Sequence, residues 1–576
     1  MINKYIKRTP PESAGFTLQD VQKISAESSI PQVLVAALAN RGFSPKEARD
    51  ILLQDIPAEE LISKPLNGAE KAADEILAHI NRGDAIGIFA DYDCDGVTSG
   101  FVMYEGLNEI IKHLDSVSKV GVYYPQRSEG YGLNIEYCKK AVANKVGLVV
   151  TVDNGITVKE QCAFLRENGV DIVVTDHHEP IKTKLPDCTI VDPCYSDTDR
   201  SYMAGVAVAF NVIQTMANKV NCKLDTGRLY PAVAIGTISD CMPMCYENSA
   251  YVKIGLGLIN RGEAGKFLAM IKGDNPLTYT PTDISFTIAP MINAASRMGD
   301  TRIGAVGFIS DDDKVISSAI SSLQELNKNR KDVTDMARKA VSHLDPGENK
   351  IVCFDGKDFG KGVHGIIAGE ISKRFVDYPA FVYIVKEANE KKVMAGSIRC
   401  GNPGVNCIEI FNKLKKQGVV KMVAGHSSAC VLEVYSDRKE EFLTGFNSLY
   451  SSMEIPPAIM GLDASLTIKQ ATDNATLIAL NKIPFTVQEE PLFGISNVMI
   501  NEVYRSRNNP DNIRFTLADS TGYKQAWAWK FASRYKELGE PNEVHLVCTI
   551  TQDFMNKRSP KAAIKIVDMI PVKRTA

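Results

Sequence analysis

The sequence has no uninterrupted apolar stretch near 18 residues, and its basic N-terminus, MINKYIKRTPPESAG, is not followed by an apolar run. A membrane-spanning helix needs about 20 mostly apolar residues, so we expect a soluble, cytoplasmic protein without a secretory leader. The chain also lacks a strong net charge, because 66 Lys and Arg face 69 Asp and Glu. This balance argues against a protein that coats nucleic acid, and any nucleic acid should bind in a local basic groove.

Closely spaced cysteine pairs are also scarce. The thirteen cysteines are scattered singly over 576 residues, and this odd number does not form the framework of a disulfide-rich domain. Cys241 and Cys245 are the nearest local pair, but no second pair completes a zinc site. We therefore expect reduced and mostly buried thiols.

The chain does contain a repeated junction between apolar segments and aspartates. In the first 240 residues, AIGIFA precedes Asp91, VGLVVTV precedes Asp153, VDIVVT precedes Asp176, CTIV precedes Asp192 and AVAIGTIS precedes Asp240. Such runs, separated by helical patterns, predict buried parallel strands of a doubly wound α/β sheet. Ligands gather at the carboxyl ends of parallel strands, so these acids should share one edge. Because like charges about 4 Å apart repel by roughly 4 kcal/mol at an effective dielectric near 20, the cluster predicts a metal site.

The length of the chain predicts several domains. We predict a helical lead-in over 1–70, an α/β domain over 71–310, a linking helix over 311–346, a smaller α/β domain over 347–455 and a β-barrel over 456–576. The linking helix follows from apolar positions at helical spacing between 311 and 344, without proline or glycine. The smaller domain has the strand candidates IVCF, AFVYIV, VMAGSIR and ACVLEV, and the barrel has NVMINEVY, IRFTLAD, QAWAWKF and EVHLVCTITQ.

The sharpest motif is DYDCDG at residues 91–96, which lies between a predicted strand and a predicted helix. In extended chain, alternate residues point to one side, so Asp91, Asp93 and Asp95 should converge. A calcium EF-hand begins similarly, but it needs a preceding helix and a glutamate where this chain has Val102. An aspartate-based phosphatase of the haloacid-dehalogenase type, with Asp93 as nucleophile and Asp95 as acid, explains this motif but gives no role to the next one.

The next motif is the tripeptide Asp176-His177-His178 at the end of a predicted strand. The chain has only eight histidines, and two of them are adjacent here. Neutral imidazole beside carboxylates is a typical ligand set for manganese and other divalent ions, so we expect His177 to bind metal. His178 is then expected to face the substrate.

Three further aspartates follow predicted strands. Asp153 precedes a tight Asn-Gly turn and Asp240 precedes an irregular loop, so both are ligand candidates. Asp192 precedes Pro193, the residue type favoured at the first position of a helix, and is expected to cap a short helix instead.

Taken together, these motifs resemble the DHH phosphoesterase superfamily and, within it, the RecJ single-strand DNA exonucleases. DYDCDG, VDNG, DHH and GTISD occur in the family's order. The resemblance continues through YPQRSEGYG, IAPMINAASRMG, VHGIIAGEIS, MAGSIR and AGHSSA, and it covers most of residues 80–430. It implies a DHH catalytic lobe, a long linking helix, a DHHA1 lobe and a C-terminal OB-fold.

The resemblance also implies an activity, namely 5′→3′ hydrolysis of single-stranded DNA to 5′-mononucleotides with two Mn²⁺ or Mg²⁺ ions, in DNA repair and recombination. The implied ion ligands are Asp91, Asp93, Asp95, Asp153, His177 and Asp240, with Asp153 as the bridge. His178 is implied to contact the scissile phosphate, and Asp176 to orient the histidines. The positions that match phosphate-binding residues are Arg127, Arg297, Ser397, Arg399 and His426.

The partner implied by the resemblance is single-stranded DNA, supplied by a single-strand-binding protein and a helicase, with no membrane involved. Two other functions stay open. One is a DHH phosphodiesterase of short oligonucleotides or cyclic dinucleotides, for which the barrel and the linking helix would be superfluous. The other is a non-catalytic replication scaffold, which would not need so many clustered carboxylates.

Aromatic residues alternate along the predicted barrel strand AWAWKF. Trp527, Trp529 and Phe531 should therefore share one face, close to Arg514 and other arginines. Such a face either stacks single-stranded bases or belongs to the barrel core.

Overall fold

The computed structural model of the chain describes residues 4–9, 15–53, 64–273, 278–388, 391–402, 404–453, 459–483, 485, 490–507, 509–553 and 561–572. Its internal contacts divide the chain into two units. The large unit comprises Tyr5–Tyr124, Tyr131–Ala289 and Gly461–Ala576, and the small unit consists mainly of Pro125–Gly130 and Pro290–Met460. Within the described ranges, no helix has the length and apolar character that crossing a bilayer requires. The predicted α/β class with a C-terminal barrel is confirmed.

The large unit is built on a sheet of five parallel strands. In spatial order these are Lys119–Tyr123, Ala85–Ala90, Leu148–Val152, Asp171–Thr175 and Thr189–Val191. Four of them were predicted by their apolar runs, and they are buried along most of their length. The fifth, Lys119–Tyr123, is an edge strand with alternating exposure, so its sequence carries no continuous apolar signal.

The register of this sheet determines where the aspartates lie. Ala90 is paired with Val152, Val152 with Thr175, and Thr175 with Val191. The residue that follows each of these positions is an aspartate. The carboxyl ends of four neighbouring strands therefore present a row of acidic side chains at one edge of the sheet.

The run AVAIGTIS before Asp240 is not a strand, so the prediction of a strand at this position is wrong. These residues form the end of the helix Thr226–Ser239, which is buried from Leu229 to Ile238. A fully buried helix is apolar on all sides, and periodicity alone cannot separate such a run from a buried strand. Asp240 ends this helix, because its backbone N–H donates to the carbonyl of Gly236.

Helices surround the sheet. Following the chain, the helices of the large unit outside the barrel are Leu18–Ser28, Gln32–Asn40, Pro45–Leu53, Ala69–Arg82, Cys94–His113, Ile135–Ala143, Lys159–Glu167, Pro193–Ser196, Gly205–Lys219, Thr226–Ser239, Tyr246–Arg261, Gly265–Lys272 and Pro281–Asp283, the last continuing as a π-helix over Ile284–Ile288. Two of them, Gly205–Lys219 and Thr226–Ser239, pack against Cys94–His113. This arrangement brings three helix termini to the acidic edge of the sheet.

The C-terminal part of the large unit is a closed barrel of five strands. Its strands are Phe493–Arg505, Ile513–Asp519, Gly522–Ala528, Ala562–Pro571 and Glu543–Gln552 in spatial order, and the last pairs again with the first. The short strand Ala464–Ser465 extends the sheet, and the helices Ile468–Ala471, Asn474–Lys482 and Ala532–Glu537 accompany it. The predicted barrel is therefore present, and Ala562–Pro571 is a strand that the sequence pattern does not single out.

The helical lead-in and the barrel share one hydrophobic core. Leu34, Leu38 and Ile51 belong to the same buried cluster as Phe493 and Phe515. At the margin of this core, the guanidinium of Arg41 donates to both carboxylate oxygens of Asp463 at 2.8 and 2.9 Å. The predicted lead-in segment thus packs together with a domain more than 400 residues away in the sequence.

The small unit contains a mixed five-stranded sheet in the order Val420–His426, Ala429–Tyr435, Lys391–Arg399, Ala380–Ala388 and Val352–Asp355. All pairs are antiparallel except the last, which is parallel. Its helices are Ala289–Met298, Arg302–Ile309, Asp313–Val341, His364–Arg374, Cys407–Lys416 and Lys439–Ser451. The four predicted strands of this domain are present, and Val420–His426 is the additional one.

The predicted linking helix is present as Asp313–Val341, five residues shorter than the apolar spacing indicates. Asp312 begins it, since its carboxylate accepts from the N–H groups of Lys314 and Val315. Its buried stripe includes Ile316, Leu323 and other residues at helical spacing.

Candidate functional site

The DYDCDG motif folds as the junction of a strand and a helix. Asp91 directly follows the strand Ala85–Ala90, and Asp93 is the N-cap of the helix Cys94–His113, where its carboxylate accepts from the N–H of Gly96 at 3.0 Å. A Cβ at Gly96 would lie 2.5 Å from the backbone of Asp91, so only glycine permits this tight junction. The expectation of extended chain is therefore wrong, because Asp95 already belongs to the first helical turn.

Asp95 reaches the acidic edge because a second helix holds it. Its two carboxylate oxygens accept from the N–H groups of Gly205 at 2.8 Å and Val206 at 3.1 Å, which begin the helix Gly205–Lys219. The first N–H groups of a helix have no partner within that helix and favour an anion. This helix therefore fixes a carboxylate that is almost fully buried, at 1% exposure.

Asp153 lies at the centre of the acidic edge. Its backbone has φ of 61°, in the left-handed region that aspartate and asparagine tolerate better than most residues. A Cβ at Gly205 would lie 2.5 Å from Asp153 Oδ1, so the absence of a side chain at residue 205 leaves space for this carboxylate. The strained turn and the adjacent glycine together direct Asp153 into the cluster.

His177 joins the carboxylates of three different elements. Its Nε2 lies 3.1 Å from Asp153 Oδ1, 3.7 Å from Asp240 Oδ2 and 3.8 Å from Asp95 Oδ2. Asp240 reaches this point from the C-terminus of the helix Thr226–Ser239 rather than from a strand. Residues that lie up to 145 positions apart in the chain thus meet around one imidazole.

Asp176 faces the two histidines and the backbone. Its Oδ1 accepts from the N–H of His177 at 2.8 Å and lies 2.7 Å from Nδ1 of His178, while its Oδ2 accepts from the N–H of Ile156 at 2.9 Å. Asp176 therefore contacts the imidazole of His178 and the backbone of His177. Nε2 of His178 is the ring nitrogen that this carboxylate does not engage.

Tyr131, which the motif analysis does not single out, also contacts this pair. Its hydroxyl lies 3.1 Å from Nδ1 and 3.3 Å from Nε2 of His178, and 3.4 Å from the carbonyl oxygen of Asp153. The signal that could have identified it is its place between two glycines, in GYG after a polar loop.

Asp192 has the structural role that was expected for it. Its Oδ1 accepts from the N–H groups of Cys194 and Tyr195, so it caps the short helix Pro193–Ser196. It follows the outermost strand of the row, next to the strand that ends at Asp176, and it is not among the clustered ligand atoms of the described residues.

Burial and like charge shift the titration of the cluster. Burial and then the charge of Asp240 raise the pKa of Asp95 to about 7, and burial and then the charge of Asp93 raise the pKa of Asp240 to about 7. Burial raises the pKa of Asp153 well above its ordinary range. Burial, followed by the charge of His178, lowers the pKa of His177, which favours a neutral imidazole. Burial alone would lower the pKa of His178, but Asp176 outweighs it and raises that pKa to about 10.

These donors fit divalent cations. The ligand atoms form three overlapping groups in which all atoms lie within 4.8 Å of one another: Asp91, Asp93 and Asp153; Asp95, His177 and Asp240; and Asp153, His177 and His178. Oxygen donors with one imidazole suit Mn²⁺, and oxygen donors alone suit Mg²⁺. Buried carboxylates whose pKa values are raised by their neighbours are those that a bound cation would stabilise.

The small unit carries a separate group of cationic residues. Arg399 and Ser397 alternate on the strand Lys391–Arg399, next to the first turn of the helix His364–Arg374, where a Cβ at Gly365 would lie 3.0 Å from Arg399 Nη2. Burial, and then the charge of Arg127, lower the pKa of Arg399. Two guanidinium groups, a hydroxyl and a helix N-terminus therefore face one another, as an anion-binding site requires.

The other two predicted phosphate-binding residues lie at the edges of this group. Arg297 donates to the carbonyl of Gly362 at 2.8 Å, so part of its guanidinium is hydrogen-bonded to the backbone. His426 is exposed at the end of its strand, and in register it lies opposite Ala429, which in turn lies opposite Arg399. His426 and Arg399 thus share a row of the sheet with one strand between them.

The aromatic residues of the barrel divide between surface and core. The rings of Trp527 and Trp529 stack at 5.4 Å, and the guanidinium of Arg514 lies over Trp527 on one side and Tyr504 on the other. Phe531 is buried, so the expected common face is wrong for this residue, because the strand ends at Ala528. The remaining aromatic residues, Tyr504, Trp527 and Trp529, form a short row in which Arg514 lies between Tyr504 and Trp527.

Comparison with known proteins agrees with this geometry. Residues 85–237 match the DHH family, N-terminal domain. The single-stranded-DNA-specific exonuclease RecJ of Bacillus subtilis is 24% identical over 562 residues, covering 95% of this chain and 69% of RecJ. RecJ of Thermus thermophilus is 32% identical over 344 residues, covering 58% of this chain and 48% of that protein.

A crystal structure of Thermus thermophilus RecJ in complex with Mn²⁺ has the same fold, with a TM-score of 0.80 at 23% identity over 99% of this chain and 80% of that one. The range matched by the DHH family contains the five-stranded sheet and all the clustered acids and histidines except Asp240. Residues 85–237 therefore form a DHH-family domain, and the chain as a whole is similar to the RecJ exonucleases.

Proposed function

We propose that the protein is a 5′→3′ exonuclease that hydrolyses single-stranded DNA to 5′-mononucleotides with two divalent ions, Mn²⁺ or Mg²⁺. The observation that carries this proposal is the meeting of Asp95, Asp153, His177 and Asp240 at the carboxyl edge of the parallel sheet. Relatives over nearly the whole chain are single-stranded-DNA-specific exonucleases, and a relative of the same fold binds Mn²⁺.

In this proposal, Asp91, Asp93, Asp95, Asp153, His177 and Asp240 would hold the ions. Asp153 belongs to two of the clustered groups, one with Asp91 and Asp93 and the other with the histidines, so its carboxylate would be available to an ion in either group. When bound, such ions stabilise the charge of the scissile phosphate and lower the pKa of water. His178, held by Asp176, offers its Nε2 to a phosphate oxygen, and no covalent intermediate with the protein is required.

The cationic group of the small unit would bind phosphate of the DNA strand. The guanidinium of Arg399 is half-buried and donates to the carbonyl of Ile398 at 2.7 Å, and within the described ranges it forms no ion pair with a carboxylate. A charge removed from water without an opposite charge is unfavourable, and a phosphate at Arg127, Ser397 and Arg399 would compensate it. We propose that this group binds the 5′-terminal phosphate.

Two further expectations stay predictions. Supply of the strand by a helicase and a single-strand-binding protein would suit an enzyme that needs unpaired 5′ ends. A cytoplasmic location would give it access to DNA.

The first prediction concerns activity. With Mn²⁺, the purified protein should release a labelled mononucleotide at once from a 5′-labelled single-stranded 30-mer, and should shorten a 3′-labelled one progressively, without degrading a duplex. Asp153→Asn removes one charge, while asparagine tolerates the left-handed backbone, so the protein should fold and lose about 100-fold or more in kcat.

The control is Asp171→Asn, at the other end of the strand that precedes Asp176, where the side chain is largely exposed. This variant should keep full activity. Chelator-resistant digestion would contradict the metal mechanism. Faster hydrolysis of dinucleotides than of 30-mers would favour the small-substrate phosphodiesterase, and an absence of both hydrolysis and Mn²⁺ binding would favour the scaffold.

The second prediction concerns pH. The pKa values of Asp95 and Asp240 are raised to about 7 in the folded protein, compared with about 3.9 in the unfolded chain. The metal-free folded state holds these protons more tightly, so its stability should fall as pH rises from about 4 through 7. Mn²⁺ requires the ionised carboxylates, so its stabilising effect should grow over the same interval.

The measurement is the melting temperature in chelator and in Mn²⁺ at pH 5, 6, 7 and 8. The increase in melting temperature caused by Mn²⁺ should be small at pH 5 and largest at pH 8, and it should shrink in Asp240→Asn. An increase of equal size at pH 5 and pH 8 would show that these carboxylates do not bind the ion.

The third prediction concerns the 5′ end. The wild-type protein should degrade a 5′-phosphorylated strand faster than the same strand with a 5′-hydroxyl, and Arg399→Gln should reduce this preference by about 10-fold, the effect of one charge-assisted hydrogen bond. Arg338→Gln is the matched control, because this arginine already pairs with Asp335 and Glu370. An unchanged preference in Arg399→Gln would place the terminal phosphate elsewhere.

A further inference from the structure

Tyr131 lies beside the histidine that faces the scissile phosphate in the proposed mechanism. Its hydroxyl is 3.1 and 3.3 Å from the two ring nitrogens of His178, and its ring meets the imidazole edge-on, with centroids 5.5 Å apart and an interplanar angle of 69°. The same hydroxyl is 3.4 Å from the carbonyl oxygen of Asp153. One side chain thus contacts both the proposed phosphate-binding histidine and the backbone of the proposed bridging ligand.

The hydrogen-bonding capacity of the site makes this contact specific. Nδ1 of His178 lies 2.7 Å from Oδ1 of Asp176. This hydrogen bond alone would leave the imidazole able to tilt about the axis of the bond. The Tyr131 hydroxyl supplies a second point of contact: it can donate to the Asp153 carbonyl and so hold its oxygen against the imidazole, while Nε2 keeps its hydrogen-bonding capacity for the phosphate. Two contacts from different directions define the plane of the ring.

The backbone around Tyr131 is built to present the side chain. Gly130 and Gly132 both have positive φ, 94° and 77°, and a Cβ at either position would meet no atom within 4 Å. These glycines are therefore required by conformation and not by lack of space. The Tyr131 residue is 51% exposed, so it lies at an open rim that a nucleotide can reach.

We propose that Tyr131 is a positioning residue that holds the His178 imidazole in the orientation required for phosphoester hydrolysis. The proposal rests on the proposed function of the site and extends it to a residue outside the metal ligands. Positioning contacts of this kind commonly affect activity by 10- to 100-fold, since small displacements of a reacting group are costly.

The test compares Tyr131→Phe with the wild type. The substrates are the 30-mer and thymidine 5′-(p-nitrophenyl phosphate), a small phosphodiester that reports hydrolysis independently of strand binding. Loss of the hydroxyl should lower kcat about 10- to 100-fold on both substrates. KM, the Mn²⁺ affinity measured by calorimetry and the melting temperature should stay unchanged, because the ring and the metal ligands are retained.

Two further variants sharpen the comparison. Tyr195→Phe is the matched control, because Tyr195 is 48% exposed and its hydroxyl has no hydrogen-bond partner among the described residues. It should behave as wild type. Gly132→Ala disfavours the positive φ without a steric clash, so it should lower kcat in the same direction as Tyr131→Phe.

Equal kcat values for the wild type and Tyr131→Phe on the nitrophenyl ester would overturn the proposal. A weakened Mn²⁺ affinity in Tyr131→Phe would also overturn it, because the hydroxyl would then support the ions instead of the imidazole. If the wild type hydrolyses the ester but not the 30-mer, the exonuclease assignment fails, while the comparison on the ester still decides the role of Tyr131.

Discussion

The structure depends on the register of one parallel sheet. Four neighbouring strands end in line, and each is followed by an aspartate, so Asp91, Asp153, Asp176 and Asp192 emerge side by side. Burying like charges this close is unfavourable unless protons or cations compensate them. The acidic edge therefore needs compensating positive charge, which protons or bound cations would supply.

The elements around this edge position its carboxylates in different ways. The helix Gly205–Lys219 directs two N–H groups at Asp95, and its first residue lacks the side chain that would displace Asp153. Asp176 is bound by His178 and by backbone N–H groups instead. These contacts lower the pKa of Asp176, although burial acts to raise it. Asp95, Asp153 and Asp240 retain raised pKa values, and these are the carboxylates that a cation would stabilise most.

Much of this acidic edge could be predicted from the sequence, because an apolar run that ends in aspartate indicates both a buried strand and the acidic residue at its carboxyl end. Asp91 and Asp93 lie in one group of ligand atoms and Asp95 in another, because a cap and a helical turn replace the expected extended chain. The run before Asp240 could not be assigned, because a buried helix and a buried strand are equally apolar. Contacts such as those of Tyr131, or of Arg41 with Asp463, depend on tertiary packing that no local pattern records.

The most direct test of the metal centre is a crystal structure of the protein soaked in Mn²⁺, with the ions located by their anomalous scattering. The predicted result is two ions at the carboxyl edge of the sheet, with Asp153 contacting both, and His177 and Asp240 among the ligands. Ions bound elsewhere, or a cluster in which Asp153 contacts neither ion, would contradict the account.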